Sequence, residues 1–264
     1  MSSPEMARQQ TPQDARLTTG PAAIAGLSRP RGMAMDKAGN LFIADSQSHR
    51  ILKATATGVL SPVAGTGTAG FSGDGGSALS AQLSFPQDVD LDPAGNLYIA
   101  DAGNRRVRRV NPEGIITTLP RSSEPLSASD EPLSKAAVTG KSFVQDSSQC
   151  RPREGGPAQA ELARAQAGAT IVPNSNALAI DAAGNVYVVD TLLSLVRRID
   201  SNGILSIFAG NGTRGFSGDR GPARRAMLSD PTDLAVDAGG NLFIADSGNC
   251  RIRKVTPAGV ITTV

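Results

Sequence analysis

The chain has 264 residues, enough for one or two domains at about 150 residues each and for a sizeable core. Apolar residues make up 39% but aromatics only 3%, so the core must come from Val, Ile, Leu and Ala, and 29 Gly with 17 Pro imply the many turns of an all-β fold. Lys and Arg number 26 against 24 Asp and Glu, which leaves no overall field to draw in nucleic acid or a membrane surface.

Residues 1–16 are expected to be disordered, and Leu17-Thr18-Thr19 reads as an orphan last strand because it resembles Ile261-Thr262-Thr263 near the other end. Neither a membrane-length apolar run nor a signal-peptide pattern occurs, so the chain is expected to be soluble, with its compartment open. Four segments then align without gaps over sixteen positions, beginning at Pro30, Pro86, Ser175 and Pro231. The Asn of their shared Gly-Asn falls at 40, 96, 185 and 241, with spacings of 56, 89 and 56 that point to a propeller or solenoid. In the first unit Met33 to Asp36 reads as a short strand, and Lys37 to Asn40 as a hairpin turn capped by the Asp36 carboxylate. Leu41 to Ala44 is a second strand, apolar on both faces; Arg50 opens a third, and Val59 to Ala64 is the fourth. Each unit is thus a four-stranded antiparallel meander, the blade of a propeller.

These residues resemble NHL repeats. The pattern Gly-Asn-Leu-Phe-Ile-Ala-Asp followed by Asn-x-Arg-Ile is complete from Gly240 to Ile252, and the loops Ala64 to Ala78 and Ala209 to Ala223, with their GFSGDGG and GFSGDRG cores, look like those of bacterial NHL proteins. The resemblance implies an NHL-type β-propeller over residues 17–264, with clear blades at 30–65, 86–119, 175–210 and 231–264. NHL propellers usually close with six blades, so an open or truncated ring is expected here. Gly140 to Arg151 matches Gly240 to Arg251 and suggests a fifth, decayed blade within 120–172; the rival reading makes that stretch an insertion.

Strand parity puts the GFSGD loops and the Asp-x-x-Asn turns on one face of the disc, where Phe71, Asp74, Arg105, Arg214, Phe216 and Asp219 are the candidate binding residues for a protein or small ligand. Phe71 and Phe216 are expected to pin their loops by burying their rings, and the repeated Asp45, Asp101, Asp190 and Asp246 to act as turn caps rather than as acids of an active site. Asp88 and Asp90 alternate on a first strand and, with Asp233, line the central channel. Such a cluster could hold a divalent cation, so the competing function is a metal-dependent lyase or hydrolase; otherwise no cofactor is expected. Related propellers include amidating lyases and lactonases, but the single histidine, His49, cannot supply the lyase's ligands and reads as an ordinary surface residue. The third strands carry 11 basic residues, and some tripartite-motif NHL proteins bind RNA, a second alternative; no aromatics interleave with these arginines, and basic outer strands also blunt sheet edges.

Overall fold

Turn chemistry sets the length of every strand. Asp36 Oδ1 accepts the backbone N–H groups of Ala38 and Asn40 at 2.9 and 2.8 Å, while Oδ2 accepts the Asn40 side-chain amide at 2.7 Å. Asp92, Asp181 and Asp237 make the corresponding bonds to Asn96, Asn185 and Asn241. Gly39 closes the first of these turns at φ +80°, a conformation that a side chain would strain. At the far end of each second strand a tight turn, of 3-10 form in the first, second and fourth blades, reverses the chain and ends on a left-handed residue, His49, Arg105, Ser194 or Cys250, with φ between 52° and 55°. Between these punctuation marks the blade strands have room for four to six residues in extended form.

The computed structural model describes residues 20–21, 26–119 and 175–264. The first blade holds β2 (Pro30–Met35), β3 (Leu41–Asp45), β4 (Arg50–Ala54) and β5 (Val59–Ala64), with the two-residue β1 (Gly20–Pro21) added outside β5. The second holds β6 (Pro86–Leu91), β7 (Leu97–Asp101), β8 (Arg106–Val110) and β9 (Ile116–Leu119). The third holds β10 (Ser175–Ile180), β11 (Val186–Asp190), β12 (Leu195–Ile199) and β13 (Leu205–Ala209). The fourth holds β15 (Pro231–Val236), β16 (Leu242–Asp246), β17 (Arg251–Val255) and β18 (Val260–Thr263), with β14 (Gly221–Pro222) outside β18. Every pairing between consecutive strands of a blade is antiparallel, as in a meander. The first strand begins at Pro30, ahead of the expected Met33.

Three apolar layers join the blades face to face. Phe42, Ala44 and Ile51 of the first blade pack on Val89, Leu97 and Ile99 of the second. Tyr98, Ala100 and Val107 pack on Leu178, Val186 and Val188 of the third, and Tyr187, Val189 and Val196 pack on Leu234, Leu242 and Ile244 of the fourth. The first strands β2, β6, β10 and β15 neighbour one another in that order. β6 lies directly against β10, so the second and third blades are neighbours. The expected disordered start, the Leu17-Thr18-Thr19 strand and the decayed blade or insertion at 120–172 lie outside the described residues. Next in the chain after the expected orphan strand comes β1, which pairs Gly20 with Leu60 in the way that β14 pairs Gly221 with Ile261. These pairs cover the outer edges of their blades, where an unpaired strand would be open to association.

Candidate functional site

Two places can carry function: the trough walled by the first strands, and the face that bears the GFSGD loops. The trough encloses about 1140 Å3 and is lined by residues that include Arg31, Met33, Asp88, Asp90, Ala179 and Asp233. Two of its carboxylates, Asp88 and Asp90, are built into the joint between the second and third blades. Asp88 Oδ1 accepts the Val89 N–H at 2.9 Å, and its Oδ2 reaches across to the Leu178 N–H at 2.8 Å. Asp90 repeats this with Leu91 and Ile180 at 2.8 and 3.0 Å. Both therefore satisfy outward-facing amides of the innermost strand of the next blade, groups that would otherwise lack a partner. A Cβ at Gly32 would overlap the Asp88 carboxylate, so the first blade makes room for it with the smallest residue. Burial pushes the Asp88 carboxyl up to about 7 against the pull of its two amide donors, with the charges of Asp233 and Asp90 adding to the rise. Burial likewise raises Asp90.

Asp233 accepts only the amide of its neighbour Leu234 among the bonds seen, and it is exposed. Among the described residues, no three or more His, Cys, Asp or Glu side chains come together in an arrangement that would hold a metal ion. The alternation at Asp88 and Asp90 thus has a structural use, staples between neighbouring blades.

On the other face, the loop in front of the second blade is organised by an arginine. The Arg108 side chain is fully buried and donates to Ser72 O at 2.9 Å, Asp74 Oδ1 at 2.9 Å, Gln82 O at 3.3 Å and Asp101 Oδ2 at 3.4 Å. Arg253 does the same for the fourth blade, binding Ser217 O, Asp219 Oδ1, Met227 O and Asp246 Oδ2 at 2.9 to 3.4 Å. Asp101 and Asp246 also accept the Ser84 and Ser229 N–H groups at 2.7 Å, and Asn104 and Asn249 tie each turn to the loop through Gly70 O and Gly215 O. Against expectation, Asp45, Asp101 and Asp246 do not cap the backbone of their own turns but hold the incoming inter-blade segment, whereas Asp190 accepts the Leu193 N–H within its turn at 3.2 Å. Burial still raises the carboxyls of Asp101 and Asp246, with hydrogen bonds and the arginine opposing it.

Loop and turn therefore share a face and are locked together, and the lock displays an aromatic ring. Phe71 is 44% exposed and Phe216 38%, which overturns the expectation that these rings are buried. Arg106 and Arg108 lie 4.4 and 4.8 Å from the Phe71 ring centre, and Arg251 and Arg253 lie 4.1 and 4.8 Å from that of Phe216. The stacking also corrects the reading that no aromatic accompanies the arginines, because the loops bring the rings in from 35 residues away. Asp74 and Asp219 are half-exposed acids paired with the buried guanidiniums rather than loop ligands waiting for a cation. Arg214 pairs with Asp230 at 3.0 Å, and Arg105 stands exposed on its left-handed turn.

Other third-strand cations do not blunt an edge: Arg108, Arg197 and Arg253 are buried, the second paired with Asp190 at 3.1 Å. Leu52 takes their place in the first blade, opposite Ile43 as Arg108 is opposite Ile99. His49 is no idle surface residue either, since its Nδ1 accepts the Phe85 N–H at 3.1 Å and its ring meets the Phe85 ring edge-on, linking the first two blades.

Comparison with known proteins agrees with this architecture. The NHL repeat profile matches residues 27–53 and 228–255, and that of the teneurin NHL domain matches 67–145. Human teneurin-4 is 30% identical over 279 residues, covering 82% of this chain and 10% of that protein; mouse teneurin-3 is 27% identical over 277 residues, covering 83% and 10%. The chain thus spans about a tenth of the length of these curated relatives. Among solved structures, a streptogramin B lyase matches with a TM-score of 0.54 at 9% identity, covering 89% of this chain and 54% of that one. Virginiamycin B lyase from Staphylococcus aureus matches with a TM-score of 0.54 at 10% identity, covering 93% and 58%. At such identities the likeness is one of fold alone.

Proposed function

This chain is an NHL-repeat β-propeller, and on that premise we propose that it is a non-catalytic scaffold that binds a protein partner through its loop-bearing face. The observation that carries the reading is the pair of half-exposed Phe rings, each stacked on arginines and held in place by a buried guanidinium. Rigid aromatic and arginine side chains lose little freedom on binding and are the residue types that dominate protein contact energies. The stacks Phe71–Arg106 and Phe216–Arg251 are the proposed anchors, with Asp74 and Asp219 beside them as polar rim. The trough is a weaker candidate for chemistry because Asp88 and Asp90 already spend their oxygens on backbone amides. A small ligand would find few free polar groups there apart from Asp233 and Arg31.

The test is affinity capture of proteins, identified by mass spectrometry, on the wild-type chain, on Phe71→Ser/Phe216→Ser and on Asp88→Asn. A partner that the loop-face variant loses and the trough variant keeps supports the proposal. A partner lost only by Asp88→Asn refutes it, as does a stoichiometric divalent ion in the purified protein, which would restore the metal-dependent lyase or hydrolase. Saturable binding of single-stranded RNA that the double Phe variant abolishes would assign the same face to nucleic acid instead.

A further inference from the structure

The three interfaces among the described residues define what each face of a blade needs, and among those residues nothing supplies it to the two outermost faces. On the trailing side, Tyr98, Ala100 and Val107 of the second blade are buried against the third, as are Tyr187, Val189 and Val196 of the third against the fourth. The same repeat positions in the fourth blade are Phe243 and Ala245, both half-buried, and Ile252, 46% exposed. On the leading side, Val89, Leu178 and Leu234 are buried, but their counterpart in the first blade, Met33, is 60% exposed. Met35, two residues on along the same face, is 68% exposed, and Leu27 is 40% exposed where Leu83 and Leu228 are wholly buried.

The polar part of the joint is vacant as well. Asp88 and Asp233 stand at one repeat position, 145 residues apart, and Met33 and Leu178 share another, also 145 residues apart. Asp233 already makes the local bond of Asp88, with Oδ1 accepting the following amide at 2.9 Å in both. Met33 pairs with Ile43 in the register in which Leu178 pairs with Val188, so its N–H faces away from its own sheet as that of Leu178 does.

We propose that the trailing face of the fourth blade docks onto the leading face of the first blade of a second copy of this chain, head to tail, with Asp233 accepting the Met33 N–H across the joint. Complementarity identifies the occupant: the two faces are the apolar halves of an interface that recurs three times within the chain, and they carry the two halves of the staple that joins the second blade to the third. Four blades also cover only 54% and 58% of two solved propellers, so one chain leaves a large part of such a ring unfilled beside its outermost faces. Such a contact is heterologous, and it closes only if the rotation between copies returns to the start.

Sedimentation velocity on the 264-residue chain tests this with two exposed, fold-neutral variants, Ile252→Glu on the trailing face and Met35→Glu on the leading face. Over about 1 to 100 µM the wild type is expected to associate beyond the monomer, and each variant alone to remain monomeric. An equimolar mixture of the two retains one intact interface and is expected to form a 1:1 dimer and nothing larger. A monomeric wild type throughout that range overturns the proposal; so does a mixture that stays monomeric, or a variant that associates as the wild type does.

Discussion

Replacing Arg108 with Met keeps the length of the side chain and removes every hydrogen bond that the guanidinium makes. The pair with Asp74 is half-exposed and contributes less than about 1 kcal/mol. The pair with Asp101 is fully buried on both sides, and orphaning a buried charge costs about 3–5 kcal/mol. Ser72 O and Gln82 O lose donors at about 1 kcal/mol each, partly recovered where water reaches the loop. The expected loss is about 4 kcal/mol, a large share of a typical domain's 5–15 kcal/mol, read from urea midpoints at constant slope. Amide exchange should accelerate first in Ser72 to Asp74, whose loop the arginine clamps. Asp74→Ala, which removes only the exposed partner, should cost less than about 1 kcal/mol. A loss below about 1 kcal/mol for Arg108→Met would refute the clamp: Asp101 would then be satisfied by Ser84 and Asn104 alone, much as Asp45 coexists with Leu52 in the first blade.

The Asp88 carboxyl, raised to about 7 in the fold, binds its proton more tightly folded than unfolded, so its effect on stability is most favourable below about pH 4 and is lost as pH rises to 7. The ceiling is about 4 kcal/mol, reduced because the side chain is only half-buried; Asp88→Asn should flatten the fall between pH 4 and 7 relative to wild type in urea titrations, and an unchanged slope would count against the shift. Arg105 holds φ 55° without a glycine's freedom, so Arg105→Gly should raise stability by about 0.5–1 kcal/mol in thermal melts; a drop would show that its side chain supports the turn.

The repeat made the blades legible because each one carries the same Asp-x-x-Gly-Asn turn and the same apolar second strand, and local chemistry of that kind is visible in any single copy. The staples were not, since Asp88 meets Leu178 only after the chain has passed through 90 residues and returned beside it. Alternating carboxylates looked like a ligand set because a sequence shows charge but not the amide that consumes it. The arginine clamps were hidden in strands that read as uniformly basic. One signal was available: Arg108, Arg197 and Arg253 each follow a turn aspartate by seven residues, and the first and last follow a loop acid by 34. That coincidence marks a buried ion-pair network, whereas Arg106 and Arg251 lack the pattern and stay outside on the rings. The exposure of Phe71 and Phe216 was misjudged because an aromatic in a glycine-rich loop ordinarily buries itself, and here the guanidiniums took that place.

Site-specific photocrosslinking tests the binding face most directly. With benzoylphenylalanine placed singly at Phe71, Phe216 or Ala235, the last an exposed residue lining the trough, irradiation in a native extract should give covalent adducts to another protein from positions 71 and 216 and none from 235. Adducts confined to position 235 would place the partner in the trough and contradict the account.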